Sequence, residues 1–211
     1  MATGIKGKFI TFEGSEGSGK STQIELISRY LKTKKIPFVF VREPGGVKIS
    51  EKVRQILLDP ENKGMSDECE TLLYMAARAQ LVSEVIAPAL KERKIVLCDR
   101  FLDSTVVYQG YGCGMSIKFI KQVGKIATQG IEPDLTFVFD IPAKTGLSRI
   151  KRDKDRIEQR AITYHNRVRA GYLDVARKDP KRVKVIKVDR SREEIHEIIK
   201  KYVDSLLRIK K

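Results

Sequence analysis

No segment of this chain approaches the roughly 18 consecutive apolar residues that a membrane-spanning helix requires. Linkers rich in proline, glycine or serine are absent, as is any internal repeat, so no boundary is visible at which the chain would divide. Only three of the 211 residues are cysteine. Cys69, Cys98 and Cys113 are odd in number and lack the close spacing of a metal-binding knuckle. A disulfide framework is therefore not expected, and reduced thiols are. The opening MATGIKGKFITFEG has neither a long apolar run nor a small-residue cleavage site. No secretion signal is read there, and a cytoplasmic location is expected.

What the chain does have is a core's worth of apolar residues, 41%, which excludes wholesale disorder. Its length suits one domain of ordinary size, here taken as residues 1–211. Lys and Arg total 42 against 27 Asp and Glu, a formal charge of +15. That excess suggests nucleic acid, a membrane surface or phosphorylated small molecules as partners. It is unevenly spread. Residues 1–140 hold 20 basic and 17 acidic side chains, whereas residues 141–211 hold 22 and 10.

Runs rich in β-branched and aromatic residues recur at Lys8–Glu13, Phe38–Arg42, Lys94–Asp99, Leu135–Asp140 and Val183–Asp189. The second, third and fourth are largely continuous apolar runs, the pattern of strands covered on both faces. Between them lie helical stripes: Ile24, Ile27 and Leu31; Val53, Ile56 and Leu57; and Ile195, Ile198, Ile199, Val203 and Leu206. Alternating strands and helices predict an α/β fold with a mostly parallel sheet, whose ligands gather at the strands' carboxyl ends. Those ends read Glu13-Gly14, Arg42-Glu43-Pro44, Asp99-Arg100, Asp140 and Asp189. Asp140 and Asp189 read equally well as plain turn or helix caps.

Gly14-Ser15-Glu16-Gly17-Ser18-Gly19-Lys20-Ser21 matches G-x-x-x-x-G-K-[ST] in full, after a strand and before a helix. Glycines let backbone N–H groups converge on phosphate oxygens, and the helix N-terminus adds its positive end. Nucleoside triphosphate binding follows for Gly14 to Ser21 and the adjoining Thr22, with Lys20 on the β- and γ-phosphates and Ser21 on Mg²⁺. Glu16 is out of place in an anion-binding loop unless it points toward a metal-bound water or a second substrate.

Asp99 closes an apolar strand where an acid would support Mg²⁺ directly or through water, and Arg100 beside it is suited to bidentate phosphate binding. Arg42 stands at another strand end, before the stiff Pro44-Gly45-Gly46 turn. Two such arginines and one phosphate loop make two anion sites at one sheet edge, the equipment for moving a phosphoryl group between two phosphorylated molecules. A monophosphate acceptor, whose second pKa is about 6, needs no general base. A hydroxyl acceptor would want a carboxylate, and Glu43 or Glu16 could serve. The charged run Ser148–Arg156 reads either as a mobile lid, whose Arg149, Arg152 or Arg156 would neutralise the transferring group, or as a solvated helix face.

These blocks in this order resemble thymidylate kinases of the bacterial type. The likeness spans nearly the whole chain: FEG-x-EG-x-GKST at Phe12–Thr22, REPGG at Arg42–Gly46, LLY-x-AAR-AQ at Leu72–Gln80 and DRF-x-x-S-x-x-x-YQG at Asp99–Gly110. PDLT at Pro133–Thr136, DRIE at Asp155–Glu158 and RVR-x-GYL at Arg167–Leu173 continue it. The resemblance implies a P-loop NTPase fold with a five-stranded parallel sheet, flanking helices and a short lid at about 148–156. It implies the reaction ATP + dTMP → ADP + dTDP, Mg²⁺ as cofactor, a place in dTTP synthesis and a homodimer, with neither nucleic acid nor membrane as partner. Lys20, Arg42, Arg100, Arg149 and Arg152 would carry catalysis, and Ser21 and Asp99 the metal. Glu16, Arg42, Tyr74, Arg78, Arg100, Thr105, Tyr108 and Gln109 would bind dTMP, with Tyr74 stacking on thymine, Arg78 and Thr105 at the base edge, and Tyr108 crowding a ribose 2′-hydroxyl. The chain departs from the common pattern at Ala77, Phe101, Val107 and Cys113, and its lid is short. Two other readings stand beside this one: a deoxynucleoside kinase acting on thymidine, and a basic P-loop module that binds nucleic acid.

Overall fold

The computed structural model describes residues 7–209. The outermost parts of the expected domain, residues 1–6 and 210–211, lie outside the described residues. Five strands form one all-parallel sheet in the order β2-β3-β1-β4-β5. They are β1 (Lys8–Gly14), β2 (Phe38–Arg42), β3 (Ile95–Asp99), β4 (Leu135–Asp140) and β5 (Val183–Lys187). All five fall on the runs read from the sequence.

Strand alternation sorts the core into two layers. Ile10 and Phe12 of β1, with Leu97, Phe137 and Phe139, face α1 (Lys20–Thr33) and α9 (Arg192–Leu207), packing on Ile24, Ile27, Leu31, Ile195, Ile199 and Val203. Phe9, Val96 and Cys98 face the opposite side, where Leu81, Val82 and Ile86 cover them. On that side run α2 (Lys48–Leu58), α3 (Asp67–Leu81), a π-helical turn at Val82–Ile86, and α4 (Ala87–Lys91). The short α5 (Leu102–Thr105) leads into a second π-helical stretch, Val106–Gly112, then α6 (Ile117–Ala127); after β4 come α7 (Ala143–Ser148) and α8 (Ile162–Lys178).

Two patterning expectations are corrected. The apolar run of β2 does not have both faces covered: Phe40 is 48% exposed, because β2 ends the sheet. Instead the half-polar β1 sits at the centre, with Thr11 and Glu13 fully buried. On α2, Leu57 is buried but its neighbour Ile56 is exposed, since consecutive helical residues are about 100° apart and cannot share a face.

β1 lies between β3 and β4, while the chain leaves it for β2 on the far side of β3, so the crevice opens at the carboxyl ends of β1 and β3. Helix caps show which ends are closed. Ser66 accepts from Cys69 N at the start of α3, and Ser191 forms a full capping box with Glu194 on α9. Helix α1 follows Gly19 at φ +87° with no side-chain cap, so its first N–H groups face the crevice uncapped.

Candidate active site

The crevice is a cleft of about 490 Å³ at this sheet edge. Its floor is the phosphate loop. Gly14, Gly17 and Gly19 all have positive φ, which an L side chain resists, and the loop turns on them. Glu16, Gly17, Lys20 and Ser21 line the cleft; Gly14, Ser15 and Ser18 are buried in the turn beneath, and Gly19 and Thr22 lie outside the lining. Lys20 folds back so that Nζ donates to Gly14 O at 3.1 Å and Ser15 O at 3.0 Å. Burial, helped by the nearby Arg100, depresses its pKa to about 8. Ser21 Oγ donates to Asp99 Oδ2 at 3.4 Å, placing a hydroxyl and a carboxylate oxygen side by side at the cleft wall.

Arg42 and Arg100 enter from β2 and the end of β3. Glu51 of α2 holds Arg42 Nη2 with both carboxylate oxygens, at 2.9 and 3.0 Å, and also accepts from Gly46 N at 2.6 Å. Arg100, itself at φ +67°, donates through Nη2 to Glu16 Oε1 at 3.0 Å. Tyr108 donates to the same oxygen at 2.6 Å, and its ring lies 5.0 Å from the Arg100 guanidinium. The misfit acid of the loop thus points across the cleft. Burial alone would raise the pKa of Glu16, but Arg100, Lys20 and the Tyr108 hydrogen bond hold it below the usual range.

The far wall carries Tyr74, Arg78, Thr105 and Gln109. Tyr74 and Arg78 are i and i+4 on α3 and share one face. Arg78 is fully buried. Its Nε donates to Glu43 Oε2 at 2.8 Å, while Nη2 lies 2.7 Å from the same oxygen and donates to Phe101 O and Thr105 Oγ1, each at 3.0 Å. Burial raises the Glu43 pKa despite Arg78. Glu43 Oε1 has no hydrogen-bond partner.

Residues 149–161 bridge α7 and α8 over the cleft mouth. Arg149 and Arg152 line the cleft; Arg149 Nη1 donates to Gly17 O at 3.2 Å, and Arg152 grips Glu158 through Nη2 at 2.7 Å and Nη1 at 3.0 Å. Arg156, the third arginine considered, turns inward. It is buried between Leu57 O, at 2.8 Å, and Glu70, at 2.5 Å, where a fully buried carboxylate requires a cation. The charged run is therefore neither a free lid throughout nor a solvated helix face.

A sequence profile of the thymidylate kinase family matches residues 12–199. The thymidylate kinase of Symbiobacterium thermophilum is 49% identical over 200 residues, covering 94% of each chain. The one from Kosmotoga olearia is 48% identical over 198 residues, covering 92% of this chain and 95% of its own. The crystal structure of thymidylate kinase from Ehrlichia chaffeensis superposes with a TM-score of 0.77 at 35% identity, covering 93% and 98%. The chain belongs to the thymidylate kinase family.

The departures from the common thymidylate kinase pattern have local causes. Phe101 is buried edge-on against Phe9, with ring centroids 4.8 Å apart, and Val107 is buried beneath α8. Ala77 is buried where its carbonyl accepts from Ser50, and Cys113 Sγ accepts from Arg160. Strand-end Asp140 is no cap; it pairs with Arg169 at 2.6 Å. Asp189 stands exposed 3.9 Å from Arg190. Several site residues escaped the sequence reading. Glu13 registered only as a strand-end acid. Ser104 and Tyr172 stand between it and Arg100, and Gly146 of α7 packs directly on the phosphate loop. The FEG, DRF-x-x-S and GYL blocks contain Glu13, Ser104 and Tyr172, but nothing in the blocks assigns these residues a role.

Proposed function

We infer that this enzyme transfers the γ-phosphoryl group of ATP to the phosphate of dTMP, giving dTDP and ADP as a step toward dTTP. The observation that carries the reading is the pair of anion sites at one sheet edge, Lys20 with the uncapped start of α1 on one side and Arg42 with Arg100 on the other. A thymidine-phosphorylating enzyme would need a free carboxylate base. Here Glu16 and Glu43, the two acids considered for it, are held by Arg100 and Arg78.

In this assignment the backbone from Gly14 to Thr22 binds the triphosphate and Lys20 offsets its charge. Arg42 and Arg100 orient the acceptor phosphate, and Glu16, Tyr108 and Gln109 border its sugar. Tyr74 stacks on thymine, with Arg78 and Thr105 at the base edge. Arg149 and Arg152 close from residues 148–156, excluding water as the charge transfers. All of this is positioning and electrostatics, which is what phosphoryl transfer asks of a protein. Ser21 and Asp99 offer Mg²⁺ the hard oxygen donors it prefers, and the ion would supply charge neutralisation between the phosphates. Three unpaired thiols suit a cytoplasmic enzyme. Exposed Ile49 and Ile56 on α2, Leu72 on α3, and Phe119 and Ile126 on α6 suit a homodimer through that side.

A coupled assay of ADP release tests the reading, with MgATP and dTMP, thymidine, dUMP or dCMP offered separately. Turnover with dTMP and none with thymidine is expected. Turnover with thymidine alone would reject it.

A further inference from the structure

The region behind Arg100 is organised around a carboxylate with no place in the reaction as assigned. Glu13 closes β1 at full burial on the side of the sheet opposite α1. Its Oε1 accepts the Phe101 N–H at 2.7 Å. Its Oε2 accepts from Ser104 Oγ at 2.5 Å and Tyr172 Oη at 3.1 Å, and those two hydroxyl oxygens are 2.8 Å apart. Both hydroxyls also reach the guanidinium: Arg100 Nη1 lies 3.3 Å from Ser104 Oγ and 3.2 Å from Tyr172 Oη.

A hydroxyl has one proton and two lone pairs, and a guanidinium only donates. An ionised Glu13 draws the two hydroxyl protons inward, and lone pairs are left facing Arg100. A neutral side chain at position 13 has to donate a proton of its own into this cluster. One hydroxyl then turns its proton outward, toward a cation. The Phe101 bond works in the same direction, because it fixes the backbone turn in which Arg100 adopts its left-handed φ of +67°.

We propose that Glu13 is a positioning residue for the acceptor phosphate: through Ser104, Tyr172 and the Phe101 N–H it holds the Arg100 side chain in place opposite Glu16. This rests on the reading of Arg100 as an acceptor-phosphate ligand. Arg100 is then clamped from two sides, by Glu16 on Nη2 and by the hydroxyl pair on Nη1, leaving its outer face toward the cleft.

The groups facing Glu13 are Asp103 and Ser104 of α5, Arg100 and Cys98 from β3 and its end, Tyr172 of α8 and Lys20 of α1. Burial and then Asp103 push its pKa up to about 7, against Ser104, Arg100 and the Phe101 bond. The clamp is therefore complete above neutrality and weakens below it.

The test measures kcat and KM for dTMP and for ATP on the full-length enzyme between pH 5.5 and 8.5, in wild type, Glu13→Gln, Tyr172→Phe and Arg100→Lys. Glu13→Gln is expected to raise KM for dTMP about tenfold while changing KM for ATP less than about twofold. The wild-type kcat/KM for dTMP should fall below pH 7 more steeply than that of Glu13→Gln. The phosphate of dTMP titrates identically in both and cancels in the ratio. Tyr172→Phe, which keeps the packing and removes one hydroxyl, should raise KM for dTMP several-fold and covers the case in which Glu13→Gln fails to fold. An unchanged KM for dTMP in both variants, or equal rises for dTMP and ATP, overturns the proposal. If Arg100→Lys raises KM for dTMP and the Glu13 and Tyr172 variants do not, the proposal alone fails. If Arg100→Lys leaves it unchanged, the acceptor reading of Arg100 fails and takes the proposal with it.

Discussion

Lys20 is held by backbone carbonyls in a buried loop, with a pKa brought to about 8 by burial and Arg100. A triphosphate beside it would stabilise the ammonium and raise that pKa again. At pH 8 roughly half a proton per site should be taken up on ATP binding, falling toward zero at pH 6.5 where the lysine is already charged. Calorimetry in buffers of different ionisation enthalpy reads this directly, and the absence of any buffer dependence at pH 8 would contradict it. Glu13 provides the opposite sign. Its folded pKa lies above its unfolded one, so its contribution to stability is fully present below about pH 4.5 and is lost as pH rises through 7. Wild type should therefore lose urea stability relative to Glu13→Gln between pH 5 and 8, seen as converging or crossing midpoints. Glu43 is a second buried acid at the cleft, and its partner Arg78 is just as buried. Glu43→Ala strands that guanidinium and should cost about 3–5 kcal/mol in urea unfolding.

Elements explain what could be read from the sequence and what could not. The phosphate loop is contiguous, and a parallel sheet must bring its strand ends together, so Lys20, Arg42, Asp99 and Arg100 were legible as one site. Glu13, Ser104 and Tyr172 meet only when β1, α5 and α8 pack, across separations of 91 and 159 residues. No local pattern announces such a meeting. The same holds for Arg156, whose partner Glu70 belongs to α3. It divides the lid by function: Arg149→Ala and Arg152→Ala should each lower kcat by about tenfold or more with little change in melting temperature. Arg156→Ala should chiefly destabilise, because Glu70 would keep only Arg160 and Gln109. If Arg149→Ala and Arg152→Ala both retained wild-type kcat, the lid-arginine assignment would be wrong. Gly146 tells a related story from α7. A Cβ there would sit 2.3 Å from Glu16 O, so Gly146→Ala must push helix and phosphate loop apart. KM for ATP should rise, and stability should fall by about 1–3 kcal/mol.

At the scale of the whole molecule, the formal charge of +15 divides into a few arginines and lysines around the cleft and a larger remainder over the outer elements after residue 140. The apolar exposure is more pointed. α3 contacts both α2 and α6, and these three helices carry Ile49, Ile56, Leu72, Phe119 and Ile126, each at least 39% exposed. On α6, Phe119, Val123 and Ile126 follow the i, i+4, i+7 spacing of a single stripe, while Ile120, Gly124 and Ala127 pack inward. Leu72 lies two residues from Tyr74, so α3 presents its outer face to the proposed partner and its inner face to the nucleotide cleft. A stable interface buries about 1,200–2,000 Å² in total, which three helices of this length can supply. Sedimentation at micromolar concentration should give twice the 24.0 kDa chain mass. Leu72→Glu, which puts a charge on the outer face of α3, the helix that contacts both α2 and α6, should shift the species toward monomer. Because the same helix holds Tyr74 and Arg78, KM for dTMP should rise with dissociation while far-UV circular dichroism stays unchanged. A wild-type monomer at that concentration, or a Leu72→Glu dimer of unaltered affinity, would remove this face from consideration as the interface.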